Sequence, residues 1–168
     1  MSTEPLIKKK WTYDDIPDQS GKIFLITGAN SGLGFSATRA LASHGATVIM
    51  TSRSIQKGNE AAEEIKKEFP ETKLDVMQLD LASFQSIKNF ASQIKSKYLK
   101  INGLLNNAGV MQPPRRETED GLELQMGTNH FGHFLLTGLL LDIIKNSPGC
   151  RVILQSSFAH ETDRKSVV

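Results

Sequence analysis

Residues 27–34 read Thr27-Gly28-Ala29-Asn30-Ser31-Gly32-Leu33-Gly34, with glycines in the pattern G-x-x-x-G-x-G. A short apolar run, Ile23 to Thr27, leads into this stretch. Behind it Leu33, Ala37, Ala40 and Leu41 recur at helical spacing, and Gly45 is placed to end the helix. A strand, a glycine loop and a helix in that order suit a dinucleotide pyrophosphate. Such a ligand needs backbone N–H groups at a helix N-terminus and no β-carbon in the way. Asn30 and Ser31 can add side-chain donors. A glycine-rich turn without a ligand could share the composition, but it would not require the flanking strand and amphipathic helix.

Working outward, Thr47 to Thr51 is a second strand-like run rich in β-branched residues, which closes a βαβ unit. A second helix carries Ala62, Ile65 and Phe69 on one face and is stopped by Pro70. A weaker strand follows around Leu74 to Leu79. Ser83 is placed to cap a third helix, whose Phe84, Ile87, Ala91, Ile94 and Tyr98 step by three and four residues. Ile101 to Leu105 and Arg151 to Gln155 read as two further strands, separated by one long helix from about Gly121 to Lys145. Strands alternating with helices predict an α/β fold: a doubly wound parallel sheet covered on both faces, with right-handed crossovers. In such sheets ligands sit beyond the carboxyl ends of the strands, where the strand order reverses. The loops after Thr27, Thr51, Leu79, Leu105 and Gln155 should therefore carry the chemistry.

An NAD site normally places an Asp or Glu about 20 residues past the glycine loop, to accept the adenosine ribose hydroxyls. From Ser31 to Asn59 there is no acidic residue. At the end of the second strand stand Ser52 and Arg53, with Lys57 one turn later. An arginine there can receive a 2′-phosphate through charge-assisted hydrogen bonds, so NADP(H) is expected over NAD(H).

The composition narrows the function classes. A chain of 168 residues holds one domain or part of one. A formal net charge of +2 is too balanced for a dedicated nucleic-acid binder. A single cysteine, Cys150, cannot form an internal disulfide, which favours a reducing, cytoplasmic address. It reads as a small buried hydrophobe at the start of a strand. Met1 to Lys10 lacks the apolar stretch of a signal peptide, and Lys8, Lys9 and Lys10 read as a solvated arm. The greasiest run, Phe134 to Leu141, is too short to cross a bilayer and reads as a core helix. His130 and His133 lack carboxylate or cysteine partners and read as structural, so no metal is expected.

The ordered set Thr27 to Gly34, Asp80-Leu81, Asn106-Asn107-Ala108-Gly109 and Asn129 resembles the successive motifs of the short-chain dehydrogenase/reductase family. Trp11 to Lys22 and Asn129-His130-Phe131-Gly132-His133-Phe134 resemble its retinol dehydrogenase and protochlorophyllide reductase-like branch. The resemblance implies a Rossmann-type sheet and hydride transfer between a nicotinamide and an alcohol or carbonyl substrate. It assigns Gly28, Asn30, Ser31, Gly32, Leu33 and Gly34 to the cofactor, beside the Arg53 read above. Asp80 would accept from the adenine amino group, with Leu81 beside the ring, while Asn107, Ala108 and Gly109 would line the nicotinamide ribose. On residue chemistry alone the Asn-Asn-Ala-Gly turn could equally just finish its strand. Asn102 stands where the family often has Asp.

Hydride transfer to a carbonyl leaves an oxyanion that must be held and protonated. In the family Asn, Ser, Tyr and Lys share this work. Asn129 matches the first, and Ser157, the second of the Ser156-Ser157 pair, matches the carbonyl-orienting serine. The tyrosine and lysine come as Y-x-x-x-K after the serine, yet Phe158 to Val168 contain no tyrosine, and neither Tyr13 nor Tyr98 has a lysine four positions on. The chain as written is thus expected to be catalytically incompetent or very slow. The different-class alternative is a non-catalytic nucleotide-binding or interaction protein. Resemblance fades after His160, and Asp163 to Val168 is what GAT CGG AAG AGC GTC GTG encodes, a string that matches a common sequencing adapter. The expected organisation is an arm at 1–20, an NADP-binding domain at 21–160 and a non-native tail at 161–168. The sheet would then be incomplete on its C-terminal side, leaving the fifth strand an unpaired edge. In family dimers the helix bearing Asn129 packs against its symmetry mate, which implies a homodimer for full-length relatives.

Overall fold

The computed structural model describes residues 11–157; the lysine arm and the segment 161–168 lie outside the described residues. Five parallel strands form one sheet: β1 (Ile23–Ile26), β2 (Thr47–Ser52), β3 (Lys73–Gln78), β4 (Gly103–Asn106) and β5 (Arg151–Leu154). Their order is β3-β2-β1-β4-β5. The chain therefore winds outward from β1 to β3, then crosses back to start again at β4 beside β1. That reversal opens a crevice at the carboxyl ends of β1 and β4. The register is continuous, with Phe24 opposite Val48 on one side and Gly103 on the other.

Alternation along the strands sorts the core into two layers. Ile26, Val48 and Met50 pack with Ala42, Ala61, Ala62 and Ile65 from α1 (Gly32–Ser43) and α2 (Ile55–Glu68). Leu25, Ile49 and Leu104 face the other way, onto Ile87, Phe90, Ala91 and Ile94 of α3 (Phe84–Lys97). Ser83 caps α3 by accepting from the Ser86 N–H at 3.2 Å, as its position predicts. Asn102, just before β4, has its amide oxygen accept from the Ile23 N–H at 2.9 Å, joining β4 to β1. Within the described part of the arm, Gln19 is buried and its N–H donates to the His44 carbonyl at 2.8 Å.

The long helix expected from Gly121 to Lys145 is several pieces. Gly121 lies in a turn, and Glu123 accepts from the N–H groups of Gln125 and Met126, so helix begins only with α4 (Leu124–Met126). A π-helical turn, Gly127–Phe131, follows, and then α5 (Gly132–Leu139). Leu140, at φ −96° and ψ 5°, breaks the rod before α6 (Leu141–Lys145). Gly138 lies just before the break and weakens that turn. The apolar run Phe134 to Leu141 is also not wholly core: Leu136 and Leu140 are buried, but Phe134 is 74% exposed. Cys150 is half-buried against the α3 layer rather than fully enclosed.

All four residues of β5 are exposed, Leu154 by 71%, and among the described residues no strand lies beyond it. No helix among the described residues is long and apolar enough to cross a membrane.

Candidate functional site

Two adjoining cavities open at the carboxyl ends of the strands. The first, about 470 Å³, lies between the glycine loop and the ends of β2 and β3, and it meets Gly28, Asn30, Ser31, Leu33, Arg53 and Asp80. The second, about 750 Å³, lies between the loop after β4, the helix bearing Asn129, and Ser156 and Ser157. Both share Asn107 to Val110 and Gln155. Every loop predicted to carry chemistry thus contributes.

The glycine loop is built by close approach. Gly28 and Gly32 take positive φ, +63° and +56°, which side chains resist. A β-carbon on Gly34 would run into the Gly28 carbonyl and the Asn107 amide, so the first turn of α1 can press against the loop only as glycine. Ser31 is the N-cap of α1 but makes no side-chain cap hydrogen bond, so the first amides of the helix are left without that partner. Leu33, which helical spacing places on the core stripe, is 65% exposed and lines the first cavity instead. The helix has barely begun there, and its first turn faces the crevice rather than the sheet.

Arg53 is exposed just after β2, and Lys57 stands one turn into α2. Neither has a carboxylate partner among the described residues. Asp80 accepts from the Ala82 N–H at 2.9 Å through one carboxylate oxygen, and Leu81 is buried in the core while its edge lines the cavity. The Thr128 hydroxyl oxygen is buried beside the same cavity with no protein partner.

The Asn-Asn-Ala-Gly turn is a hub. Asn107 donates its side-chain amide to the Thr27 carbonyl at 2.9 Å, which ties the β4 loop to the glycine loop. The N–H groups of Asn107 and Ala108 both donate to the Thr27 hydroxyl at 2.9 Å. Gly109 leaves room for Asn129, whose side-chain oxygen would lie 3.4 Å from a β-carbon there. Asn129 spends its side chain on Val110, accepting from its N–H at 2.8 Å and donating to its carbonyl at 2.9 Å. Its main-chain carbonyl meets His133 Nδ1 at 3.0 Å. Ser157 lines the same cavity as Asn129. The structure therefore brings all the sequence-assigned residues except Gly32 and Gly34 to the cavity walls; Gly32 shapes the loop through its φ, and Gly34 lets the first turn of α1 pack against it.

Sequence reasoning missed Thr27 and His133 as members of this site. His133 is 5% exposed, and its burial holds its pKa below the usual histidine range, against the opposing effect of its bond to the Asn129 carbonyl. The available signal was its spacing, one helical turn after Asn129. Among the described residues, no group of three or more His, Cys, Asp or Glu is placed to hold a metal.

A parallel sheet with a glycine-rich crevice at its reversal defines a doubly wound, Rossmann-like α/β protein. The sequence profile described as short chain dehydrogenase matches residues 22–167. The chain belongs to the short chain dehydrogenase family, in its retinol dehydrogenase-like branch. It is 45% identical over 143 residues to the WW domain-containing oxidoreductase of Gallus gallus, covering 85% of this chain and 34% of that protein. It is 45% identical over 140 residues to retinol dehydrogenase 13 of Homo sapiens, covering 83% of this chain and 42% of that one. Its fold matches a short chain dehydrogenase of Escherichia coli CFT073 complexed with NADPH, with a TM-score of 0.75, 26% identity, and 92% and 65% of the two chains covered. The chain thus spans less than half the length of the two relatives compared by sequence.

Proposed function

We propose that this chain is the cofactor-binding part of an NADP(H)-dependent oxidoreductase acting on an alcohol, aldehyde or ketone. The observation that carries the reading is the first cavity, where the glycine loop and the N-terminus of α1 face Arg53 and Lys57 across one crevice. The donor set fits a dinucleotide. Backbone N–H groups at Gly32 to Gly34 suit the pyrophosphate, and the two cations suit a 2′-phosphate. The free oxygen of Asp80 can accept from an adenine amino group. The unpartnered Thr128 hydroxyl offers one more polar contact on the same wall. The nicotinamide, when bound, supplies or takes up the hydride.

The chain's own residues hold and orient. Asn107, Ala108 and Gly109 give the nicotinamide ribose a wall without bulky side chains. Ser157 donates to the substrate oxygen, and Asn129 fixes the loop at Val110 while its carbonyl stays with the helix. Asn107 serves both readings of its turn, finishing the strand and lining the cavity. The 168 residues contain no Tyr-x-x-x-Lys, so the chain assayed by itself is expected to bind cofactor without appreciable turnover. A cytosol-facing address goes with this reading, on the strength of the single cysteine.

Titration of NADPH and NADH, followed by calorimetry, tests the proposal. NADPH should bind more tightly than NADH, and Arg53→Ala should lower NADPH affinity about tenfold or more, the scale of one lost charge-assisted hydrogen bond, with NADH unchanged. Equal affinities in both proteins would refute the assignment. Turnover of aldehydes or ketones by the 168-residue chain at the rate of a full-length relative would overturn the expectation of inactivity.

A further inference from the structure

Thr27 follows β1 immediately before the glycine loop, and its side chain is fully buried. Its hydroxyl oxygen accepts two N–H groups, from Asn107 and Ala108, each at 2.9 Å. That uses both lone pairs. The same oxygen lies 2.9 Å from His133 Nε2. On the other side of the ring, His133 Nδ1 lies 3.0 Å from the Asn129 carbonyl. A carbonyl can only accept, so Nδ1 must carry the proton. The Thr27 oxygen has no lone pair left for a further donor, so its O–H must donate to a bare Nε2. One protonation state satisfies every group: a neutral imidazole with its hydrogen on Nδ1.

We infer that His133 is a positioning residue that, as the neutral Nδ1–H imidazole, locks the Thr27 junction of the two cofactor loops to the main-chain carbonyl of Asn129. The lock spans three elements: the residue after β1, the loop after β4, and the helix that carries Asn129. It rests on the proposed cofactor reading for its consequence, which is that dinucleotide binding at the glycine loop and the placement of Asn129 are coupled through one ring. A second proton on Nε2 would aim a donor at an oxygen already occupied by two. It would force the Thr27 O–H toward the Leu105 carbonyl, 3.3 Å away. Among the described residues no charged side chain belongs to this shell. Thr27, Asn107, Ala108, Asn129 and Gln155 are neutral, and α3 presents Ile87, Phe90, Ala91 and Ile94 to the same layer. Protonation therefore finds no carboxylate to reward it.

Nitrogen-15 NMR of the imidazole in the 168-residue chain reads the tautomer directly, and it needs no ligand and no substitution. A protonated Nδ1 with bare Nε2 at pH 7 supports the lock; a proton on Nε2 overturns it. The coupling is read from NADP+ affinity in His133→Gln, which keeps a donor and an acceptor, and in His133→Leu, which keeps neither. His133→Leu should bind about tenfold more weakly and His133→Gln within about threefold of the unsubstituted chain, a loss of up to one buried hydrogen bond. Equal affinity in all three overturns the coupling, as does a His133→Gln as weak as His133→Leu. As pH falls from 6.5 through the lowered folded pKa of His133, the unsubstituted chain should lose affinity faster than His133→Gln. The 2′-phosphate also titrates in this range, at a pKa of about 6 for a phosphate monoester, so the difference between the two proteins is the readout. Identical pH profiles count against the inference. An unsubstituted chain that binds no NADP+ refutes the cofactor reading and the coupling with it, whereas an Nε2–H tautomer in a chain that binds NADP+ refutes the lock alone.

Discussion

At the scale of single residues, the site is held by polar groups whose partners are counted out with little surplus. Thr27 gives one proton and two lone pairs and uses all three. Asn129 uses both ends of its amide on one backbone residue. Such groups make pH a structural variable. The His133 pKa is lowered from 6.5 in the fold, so the unfolded chain binds the proton first as pH falls. Stability due to this group is therefore fully present above pH 6.5 and declines through the window between 6.5 and the lower folded value. Urea denaturation across that window should show a slope in the unsubstituted chain that His133→Gln lacks. Thr27 and His133 were hard to read from sequence for a physical reason. Their roles depend on contacts across 106 positions of chain, which periodicity cannot report. The glycines were legible because their constraint is local: the backbone either tolerates a side chain at that φ or it does not.

At the scale of elements, short-range chemistry was readable wherever one residue decides an end. Ser83 starts α3, and Pro70 follows the last turn of α2. The helix from Leu124 onward defeats such reading, because packing as well as propensity interrupts it. Gly132 shows why. A β-carbon there would run into the Leu81 carbonyl, so α5 crosses the loop after β3 at backbone distance. The same loop carries Asp80. Gly132→Ala should cost about 1–3 kcal/mol, the range for overpacking a closed contact, although alanine is the better helix former. A thermal melt at neutral pH measures it. A stability gain would mean that propensity outweighs the contact.

At the scale of the whole molecule, folding and binding are separated along the strand direction. The two apolar layers fill the middle of the sheet, while every candidate site residue sits at or beyond its carboxyl end. This division is why the fold and the position of the site follow from patterning even though the finer contacts do not. The sheet is less balanced from side to side. β2 is buried along almost its whole length, whereas β5 shows Val152, Ile153 and Leu154 to solvent. An exposed apolar edge is a template for pairing with another chain. Light scattering should show self-association that rises with concentration. Ile153→Lys with Leu154→Lys should suppress it without lowering the melting temperature by more than about 4 °C, since exposed substitutions rarely change stability by more than about 0.5 kcal/mol each.

The π-helical turn at Gly127–Phe131 carries one residue more than an ordinary helix would hold over the same rise. That surplus sets the sequence spacing between Thr128, which borders the first cavity, and His133, which borders the second. Because the wide turn absorbs its extra residue within one revolution, a chain shortened by one amino acid at this point would relax into a regular spiral and keep the two walls in phase, with Thr128 and His133 four positions apart on one face instead of five. It would gain a better-satisfied backbone ladder and lose one side chain from the stretch that borders both cavities, so an in-frame loss of one codon here should yield a sturdier molecule, with a raised melting temperature, whose two chambers stay in line.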